Sequence, residues 1–517
     1  MHLEGNMNSF SRKIYIEMTP PSEEDPRSDS LRLRHALEEA GYEAVKLPLK
    51  MLGRLHEVCQ RSEYRITAAL VFAGHNWELV SLECGDTRAQ HYGIAVDYGS
   101  TTIIMQLVDV NSGSVIAQVS EANGQRAFGT DILTRITYVM EEKGRAGELQ
   151  RVTAQTFNRL LERLSEESGV DAKNCPAMII SGNTCMIHFL LGLDGWTVFA
   201  SPYAPVTDDP GWFAGSELGF DFAGMAYIIP AASNYIGGDI VSGLLTMDFY
   251  KKDGLGVFFD IGTNGELVMG NRHWLLAGAG AAGPALEGYI SRFGMRAQPG
   301  AIDKVWMEDN ALRYTTIGGG KPLGICGSGI IDLLAQMRLH GWINIAGELN
   351  PAASDRVQYI EEEQQYAAVY ALETESENGG RLYFSQTDIK QYLETKAAAH
   401  TMVDCLMESA GCAEEDIDRF YLSGAFCAHS DLESAITIGM FPDLPREKYA
   451  AIANSSLDGA RTLLLDIGRF EDIADLRERM YCVQFASIPD FIVRMYAAKF
   501  IPHTDMDKYP SVAARLK

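Results

Sequence analysis

Val96-Asp97-Tyr98-Gly99-Ser100-Thr101-Thr102 and Phe259-Asp260-Ile261-Gly262-Thr263-Asn264-Gly265 are two versions of one phrase. In each, an apolar run ends in Asp-x-Gly, a few small polar residues follow, and a second apolar run begins at once. GIAVDYG leads into TTIIMQLVDV, and GLGVFFDIG leads into TNGELVMGN. Short apolar runs broken by a small-residue turn predict strand–turn–strand. A single Asp-x-Gly turn reads as ordinary Asx-type turn chemistry. Its return 163 residues later in the same setting predicts a duplicated α/β core.

The chemistry of such a loop suits phosphate. Gly99 turns without a Cβ, so backbone N–H groups can point at phosphate oxygens. Ser100, Thr101 and Thr102 add hydroxyl donors, and Asp97, at a strand end, is placed to hold a water on Mg²⁺. Asp260, Gly262, Thr263, Asn264 and Gly265 form the second loop, so that one loop takes the β-phosphate side and the other the γ-phosphate side. A nucleoside needs a third element, and Tyr421-Leu422-Ser423-Gly424-Ala425-Phe426 offers one: a small-residue turn after a strand lets an adenine ring lie flat against backbone. Gly237-Gly238-Asp239 opens a predicted helix, where Asp239 either orients the attacking water or simply complements the helix N-terminus. Gly278 to Gly288, with Gly283, and Gly324 to Gly329, with Gly327 and Ser328, also precede predicted helices. Their glycines suit phosphate binding and close helix–sheet packing equally well. His188 on an apolar helix and Cys326 read as packing residues.

Outward from the two loops the chain divides as follows. Residues 1–12 read as a loose leader and 13–90 as a small α+β unit. In that unit PPSEEDPRSDS caps the helix LRLRHALEEAGY, and a hairpin turns near Gly74-His75-Asn76. Residues 91–250 form a first lobe and 251–502 a second, with a β-rich insertion near 356–385 and a long helix across 387–411. The polar tail, 503–517, is expected to fray.

Composition excludes several classes. The chain has 517 residues and a net charge of −25, which argues against a broad nucleic-acid-binding surface. No window is apolar enough to span a bilayer and the N-terminus lacks a signal-peptide core, so a cytoplasmic protein with no membrane partner is expected. The nine cysteines (Cys59, Cys84, Cys175, Cys185, Cys326, Cys405, Cys412, Cys427 and Cys482) are scattered and form no CxxC pair. They read as reduced packing thiols, and no iron–sulfur cluster is expected in this chain.

The ordered motifs AVDYGSTT, NGQRAFGTDILTRI, SGNTCMIHFLLGL, SPYAPV, FDIGTNGEL, AAGPALEGYISRFGMRAQPGAID, PLGICGSGIIDLL and FYLSGAFCAHSDLESAITIGMFP resemble the reductive activators of corrinoid proteins. These belong to the acetate-and-sugar-kinase, heat-shock-chaperone and actin superfamily. The resemblance runs from about residue 13 to residue 500. It implies a duplicated actin-like (ribonuclease H-like) ATPase core behind a small N-terminal linking α+β domain, with ATP and Mg²⁺ as cofactors. Carried over, Asp97, Gly99, Ser100, Thr101 and Thr102 form the first phosphate loop, Asp260, Gly262, Thr263, Asn264, Gly265 and Glu266 the second, and Gly424 and Ala425 the adenosine motif. Many relatives begin with a ferredoxin domain, and this chain begins where that domain would end, so a separate low-potential electron donor is expected.

The implied activity is ATP-dependent assistance in reducing a Co(II) corrinoid protein to Co(I), with a homodimer as one option for assembly. A one-electron gap of about 200 mV is roughly 5 kcal/mol. ATP can offset it only by favouring a complex in which Co(II) is less stable. Two other readings stay open on the residues alone: a small-molecule kinase on the same fold, and a nucleotide-dependent binding or chaperone-like module without a redox role. An activator of a radical dehydratase would need cluster-binding cysteines shared across a dimer.

Overall fold

The computed structural model describes residues 8–262, 264–280, 290–309, 311–424 and 430–516. The chain falls into two compact units, Met1–Asp248 with Ser455–Arg479, and Phe249–Asn454 with Met480–Lys517.

The first unit opens with an antiparallel sheet of β1 (Ser11–Glu17), β2 (Arg65–Phe72) and β3 (Trp77–Cys84). Helices Asp29–Glu39 and Leu49–Arg61 contribute Leu33, Leu37, Leu55 and Val58 to a core shared with Ile66, Ala68 and Leu70 of β2. Ser28 caps the first helix by accepting from the Leu31 amide at 3.3 Å, as the turn-rich stretch before it predicts. The β2–β3 turn falls at residues 73–76 and closes with the Ala73 N–H on the Asn76 carbonyl at 2.9 Å.

Residues 8–12 are not a loose leader. Phe10 is fully buried against Trp212, Tyr227 and Phe470, and its amide donates to Leu464 O at 3.3 Å. An aromatic side chain surrounded by three others gains more from burial than a short terminal segment loses in entropy.

The main sheet of this unit comprises β4 (Tyr92–Tyr98), β5 (Thr102–Asp109), β6 (Val115–Ala122), β7 (Ala177–Gly182), β8 (Gly211–Ala214) and β9 (Met225–Ile228). Their order is β6-β5-β4-β7-β9-β8. β4 runs antiparallel to β5 and parallel to β7, and β7 is parallel to β9. Helix Arg145–Ser168 covers one face with Leu149, Phe157, Leu160, Leu161 and Leu164. Each such fully buried side chain contributes about 2 kcal/mol of transfer free energy.

The second unit repeats the plan. β10 (Leu255–Ile261), β11 (Gly265–Gly270) and β12 (Leu275–Gly280) form an antiparallel meander. β13 (Ala301–Glu308), β14 (Ala311–Thr316) and β15 (Gly324–Ile325) make a separate small sheet. The expected insertion is a three-stranded sheet of β16 (Val357–Ile360), β17 (Gln365–Ala371) and β18 (Leu382–Ser385), followed by the long helix Gln386–Ala410. β19 (Ile417–Ser423), β20 (Tyr449–Ile452) and β21 (Met480–Cys482) complete the main sheet in the order β20-β19-β10-β11-β12-β21. β10 is parallel to β19, and β19 to β20. Both main sheets thus share a five-strand pattern: an antiparallel meander whose first strand also pairs in parallel with a fourth, and the fourth with a fifth.

Two expectations for the C-terminal part need correction. Residues 455–479 group with the first unit rather than with lobe II. Helix Ser455–Leu465 lies against helix Gly238–Leu244 so closely that a Cβ on Gly459 would stand 1.9 Å from the Ser242 carbonyl oxygen. The tail is not frayed either: Tyr509 and Val512 are buried, and Ser511 bonds Asp443 through its amide and its hydroxyl. Just before it, buried Lys396 donates to the carbonyls of Ala498, Phe500 and Pro502, using all three ammonium hydrogens.

Candidate functional site

β10 is buried throughout except at Asp260, next to its C-terminal end. β4 is buried from Gly93 to Val96 and at Tyr98, and Asp97, again next to the C-terminal end, keeps partial access to solvent, as Tyr92 does at the strand's start. A carboxylate within a buried strand would carry a large desolvation cost; at the strand end it can stay charged and meet a ligand. Ligands of open α/β sheets lie outside the carboxyl ends of the strands, where these aspartates are.

The register repeats too. Asp97 pairs with Ser181 on β7, and Asp260 pairs with Ser423 on β19. A glycine follows each serine: Gly182 and Gly424. The serine–glycine pairs on the fourth strand are a second repeat, legible in SGNT and SGAF but hidden by their separation of 242 positions.

In the first unit, Gly99, Ser100, Thr101 and Thr102 are all half-buried. A Cβ on Gly99 would lie 2.6 Å from the Thr102 carbonyl oxygen, so the turn demands glycine. Asn123 Nδ2 donates to Gly99 O at 2.9 Å, and its amide donates to Thr101 O at 2.9 Å. Arg135 is fully buried and donates from Nη2 to Ser100 O at 2.7 Å and from Nε to Gly129 O at 2.9 Å. The loop's carbonyls are thereby held inward. Asn123 and Arg135 both fall in NGQRAFGTDILTRI, but nothing in their spacing shows that they brace the loop.

Gly237, Gly238 and Asp239 stand at the start of helix Gly238–Leu244, with Asp239 Oδ1 accepting from the Ile240 amide at 3.0 Å. Ser181 Oγ reaches the Gly238 carbonyl oxygen at 3.2 Å, which ties this turn to the end of β7. Ser456 Oγ lies 2.9 Å from Asp97 Oδ1 and 2.9 Å from Ser181 Oγ. Asp97, the Gly99–Thr102 loop that follows it, Ser181, the Gly237–Asp239 turn and Ser456 therefore form one constellation.

In the second unit, the Gly262 amide donates to Asn264 O at 2.8 Å, closing the turn between β10 and β11. Glu266, directly opposite Asp260 across the ladder, is buried. Gly424 has φ +99°, and a Cβ there would stand 2.2 Å from Ile261 O and 3.2 Å from Asp260 Oδ1. Thr263, Gly283 and Ala425 lie outside the described residues.

Gly327 and Ser328 begin helix Gly327–Leu339, but the Ser328 hydroxyl donates to Asp303 O at 2.9 Å. Cys326 is buried with Sγ 3.3 Å from Ile302 O, a packing position. His188 uses both ring nitrogens: Nδ1 donates to Thr184 O at 2.7 Å and Nε2 accepts from the Val206 amide at 3.1 Å. Burial holds its pKa down, as suits a neutral core histidine.

Residues 255–513 match the C-terminal domain of RACo, the ASKHA domain; residues 92–252 match the RACo middle region and residues 2–89 the RACo linker region. The chain belongs to the RACo family. Its C-terminal part is accordingly an actin-like ASKHA domain, and the N-terminal region carries its own sheet.

A solved family structure, a reductive activator for a corrinoid, iron–sulfur protein, superposes with a TM-score of 0.88 at 32% identity, covering 98% of this chain and 81% of that one. The corrinoid activation enzyme RamQ of Eubacterium limosum is 30% identical over 385 residues, 72% of this chain and 64% of RamQ. This chain therefore matches less than two thirds of RamQ's length. The [Co(II) methylated amine-specific corrinoid protein] reductase of Methanosarcina barkeri is 23% identical over 425 residues, 75% of this chain and 73% of that protein.

Among the described residues no helix is long and apolar enough to cross a membrane. Of the described cysteines, Cys59, Cys175, Cys185, Cys326 and Cys405 are buried, Cys412 and Cys482 partly so, and Cys84 is exposed. Burial pushes the Cys59 and Cys405 thiols up to about 11 and Cys175 to about 12, away from the thiolate form.

Proposed function

We propose that this protein is a cytoplasmic, ATP-dependent reductive activator of a corrinoid protein, assisting one-electron reduction of Co(II) to Co(I) with an electron from a separate low-potential donor. The observation that carries this reading is the match, in order, to the linker, middle and ASKHA regions of one activator family over nearly the whole chain.

The residues fit a nucleotide. A Cβ at Gly99 or Gly424 would collide with backbone, so both turns require glycine and add no side chain of their own beside Asp97 and Asp260. Backbone amides of the Gly99–Thr102 loop would face phosphate oxygens, with the loop's carbonyls held away by Asn123 and Arg135. Gly262, Thr263, Asn264, Gly265 and Glu266 would form the second loop, and Gly424 with Ala425 the nucleoside wall. Asp97 and Asp260 would hold water molecules of a Mg²⁺ ion, and Asp239 would orient the water that attacks the γ-phosphate. Bound Mg²⁺ supplies charge neutralisation of the phosphates. Gly283, Gly327 and Ser328 would add backbone amides facing phosphate oxygens.

The overall balance is ATP plus water to ADP and phosphate, alongside one electron passing from the donor to cobalt. Coupling requires that the nucleotide-bound chain favour one cobalt state. The test is the affinity of the chain for a corrinoid protein poised as Co(II) or as Co(I), with and without MgATP, under anaerobic conditions. A nucleotide-dependent preference for one state is expected. Equal affinity for both states removes the coupling, because such a ligand shifts no equilibrium.

A further inference from the structure

We propose that Ser456 is the positioning residue for Asp97, and that its hydroxyl sets the carboxylate's orientation toward the Mg²⁺ side of the nucleotide site. This rests on the ATPase reading above and adds to it a residue outside all of the phosphate and adenosine motifs.

The geometry is unusual for a serine in the first turn of a helix. Such a hydroxyl commonly turns back onto its own backbone. Ser456, 6% exposed, instead reaches across to the ends of two strands, 2.9 Å from Asp97 Oδ1 and 2.9 Å from Ser181 Oγ. It has one proton, and an ionised carboxylate only accepts, so the Ser456 proton goes to Asp97. Ser181 can then donate to the Gly238 carbonyl oxygen at 3.2 Å. The Ser456 carbonyl oxygen accepts from Ser242 Oγ at 2.7 Å, so the first turn is also fastened to helix Gly238–Leu244. The close passage of Gly459 over the Ser242 carbonyl leaves the helix little room to slide. Ser456 is therefore held by packing and by the Ser242 hydrogen bond, neither of which depends on Asp97.

Position in the chain gives the contact a second meaning. β20 ends at Ile452, and helix Ser455–Leu465 begins three residues later, where the chain leaves the second unit for the first. The hydroxyl that orients Asp97 is thus delivered by a segment continuous with the sheet that carries Asp260.

The test is nucleotide binding by the full chain, measured calorimetrically without Mg²⁺ and across a Mg²⁺ titration, for wild type, Ser456→Ala and Ser456→Thr. Ser456→Ala is expected to bind Mg²⁺-free nucleotide within about twofold of wild type. Its half-saturating Mg²⁺ should rise about fivefold or more, and Ser456→Thr, which keeps the hydroxyl, should recover most of that change. An unchanged Mg²⁺ requirement in Ser456→Ala overturns the assignment. So does a loss of Mg²⁺-free binding that matches the loss with Mg²⁺, since that marks a general structural role. Wild type that binds no nucleotide at all sinks the ATPase reading itself, an outcome distinct from the other two.

Discussion

Gly424 and Ile261 approach so closely that a Cβ on Gly424 would lie 2.2 Å from the Ile261 carbonyl oxygen. The positive φ of Gly424, +99°, adds a backbone conformation that L residues rarely adopt. The two facts act together, since neither the backbone oxygen nor the turn can move without disturbing β10 beside Asp260. Gly424→Ala is expected to destabilise the protein by about 2 kcal/mol or more in urea unfolding. Nucleotide affinity should also fall by at least about tenfold wherever folded protein remains. Wild-type stability in that variant would mean the turn tolerates a side chain.

Asp260 is only partly buried at its strand end, so its loss should be functional rather than structural. Asp260→Ala is expected to cut ATP hydrolysis on the order of 100-fold. Its unfolding free energy should stay within about 1 kcal/mol of wild type. Steady-state phosphate release beside a denaturant melt separates the two effects.

Arg135 brings a buried guanidinium to Ser100 O and Gly129 O. Arg135→Met fills much of the space but leaves these carbonyls without their donor. A stability loss of about 3 kcal/mol is expected, by analogy with breaking other buried charged hydrogen bonds. Weaker nucleotide binding should accompany it. Arg135→Lys should recover only part, because an ammonium cannot reproduce the fork that reaches both carbonyls.

The duplicated core is legible in the sequence because its signals are local: an apolar strand, an Asp-x-Gly turn and a second strand within about a dozen residues. The expectation of Asp97, Asp260 and their loops rests on that pattern, and the hairpin near Gly74 and the insertion near 356–385 rest on local strand and turn signals of their own. What escapes is whatever depends on distant pairing. Ser456 reaches Asp97 across 359 residues, and no periodicity relates them. Arg135 looks like one more polar residue on an amphipathic helix until its burial is known. The tail misleads for a related reason. It is polar in composition, yet Tyr509 and Val512 supply its apolar anchors and Lys396, more than a hundred residues earlier, holds the carbonyls before it.

Acid should unfold the protein through its buried histidines. Burial pushes His91 down to about 3 and His503 down to about 4, from an ordinary 6.5. Both are neutral when folded: His91 shares a 2.7 Å hydrogen bond with Ser11, and His503 Nδ1 accepts from the Asp505 amide at 3.0 Å. Between the unfolded and folded values the unfolded chain binds protons that the folded chain does not. Their contribution is therefore complete above about pH 6.5 and is lost as the pH falls toward 3 to 4. Urea melts from pH 7 to pH 4.5 should show falling stability, and His91→Asn should flatten the slope, by on the order of 2 kcal/mol across the range.

Reduction of cobalt with and without ATP tests the proposed activity most directly. An anaerobic mixture of a Co(II) corrinoid protein, a low-potential reductant, Mg²⁺ and this chain can be followed by its visible spectrum. Growth of the Co(I) band should be fast with ATP, slow without it, and slow again when Asp260→Ala replaces wild type. Equal rates in all three mixtures, across several corrinoid proteins, would contradict an ATP-driven activator.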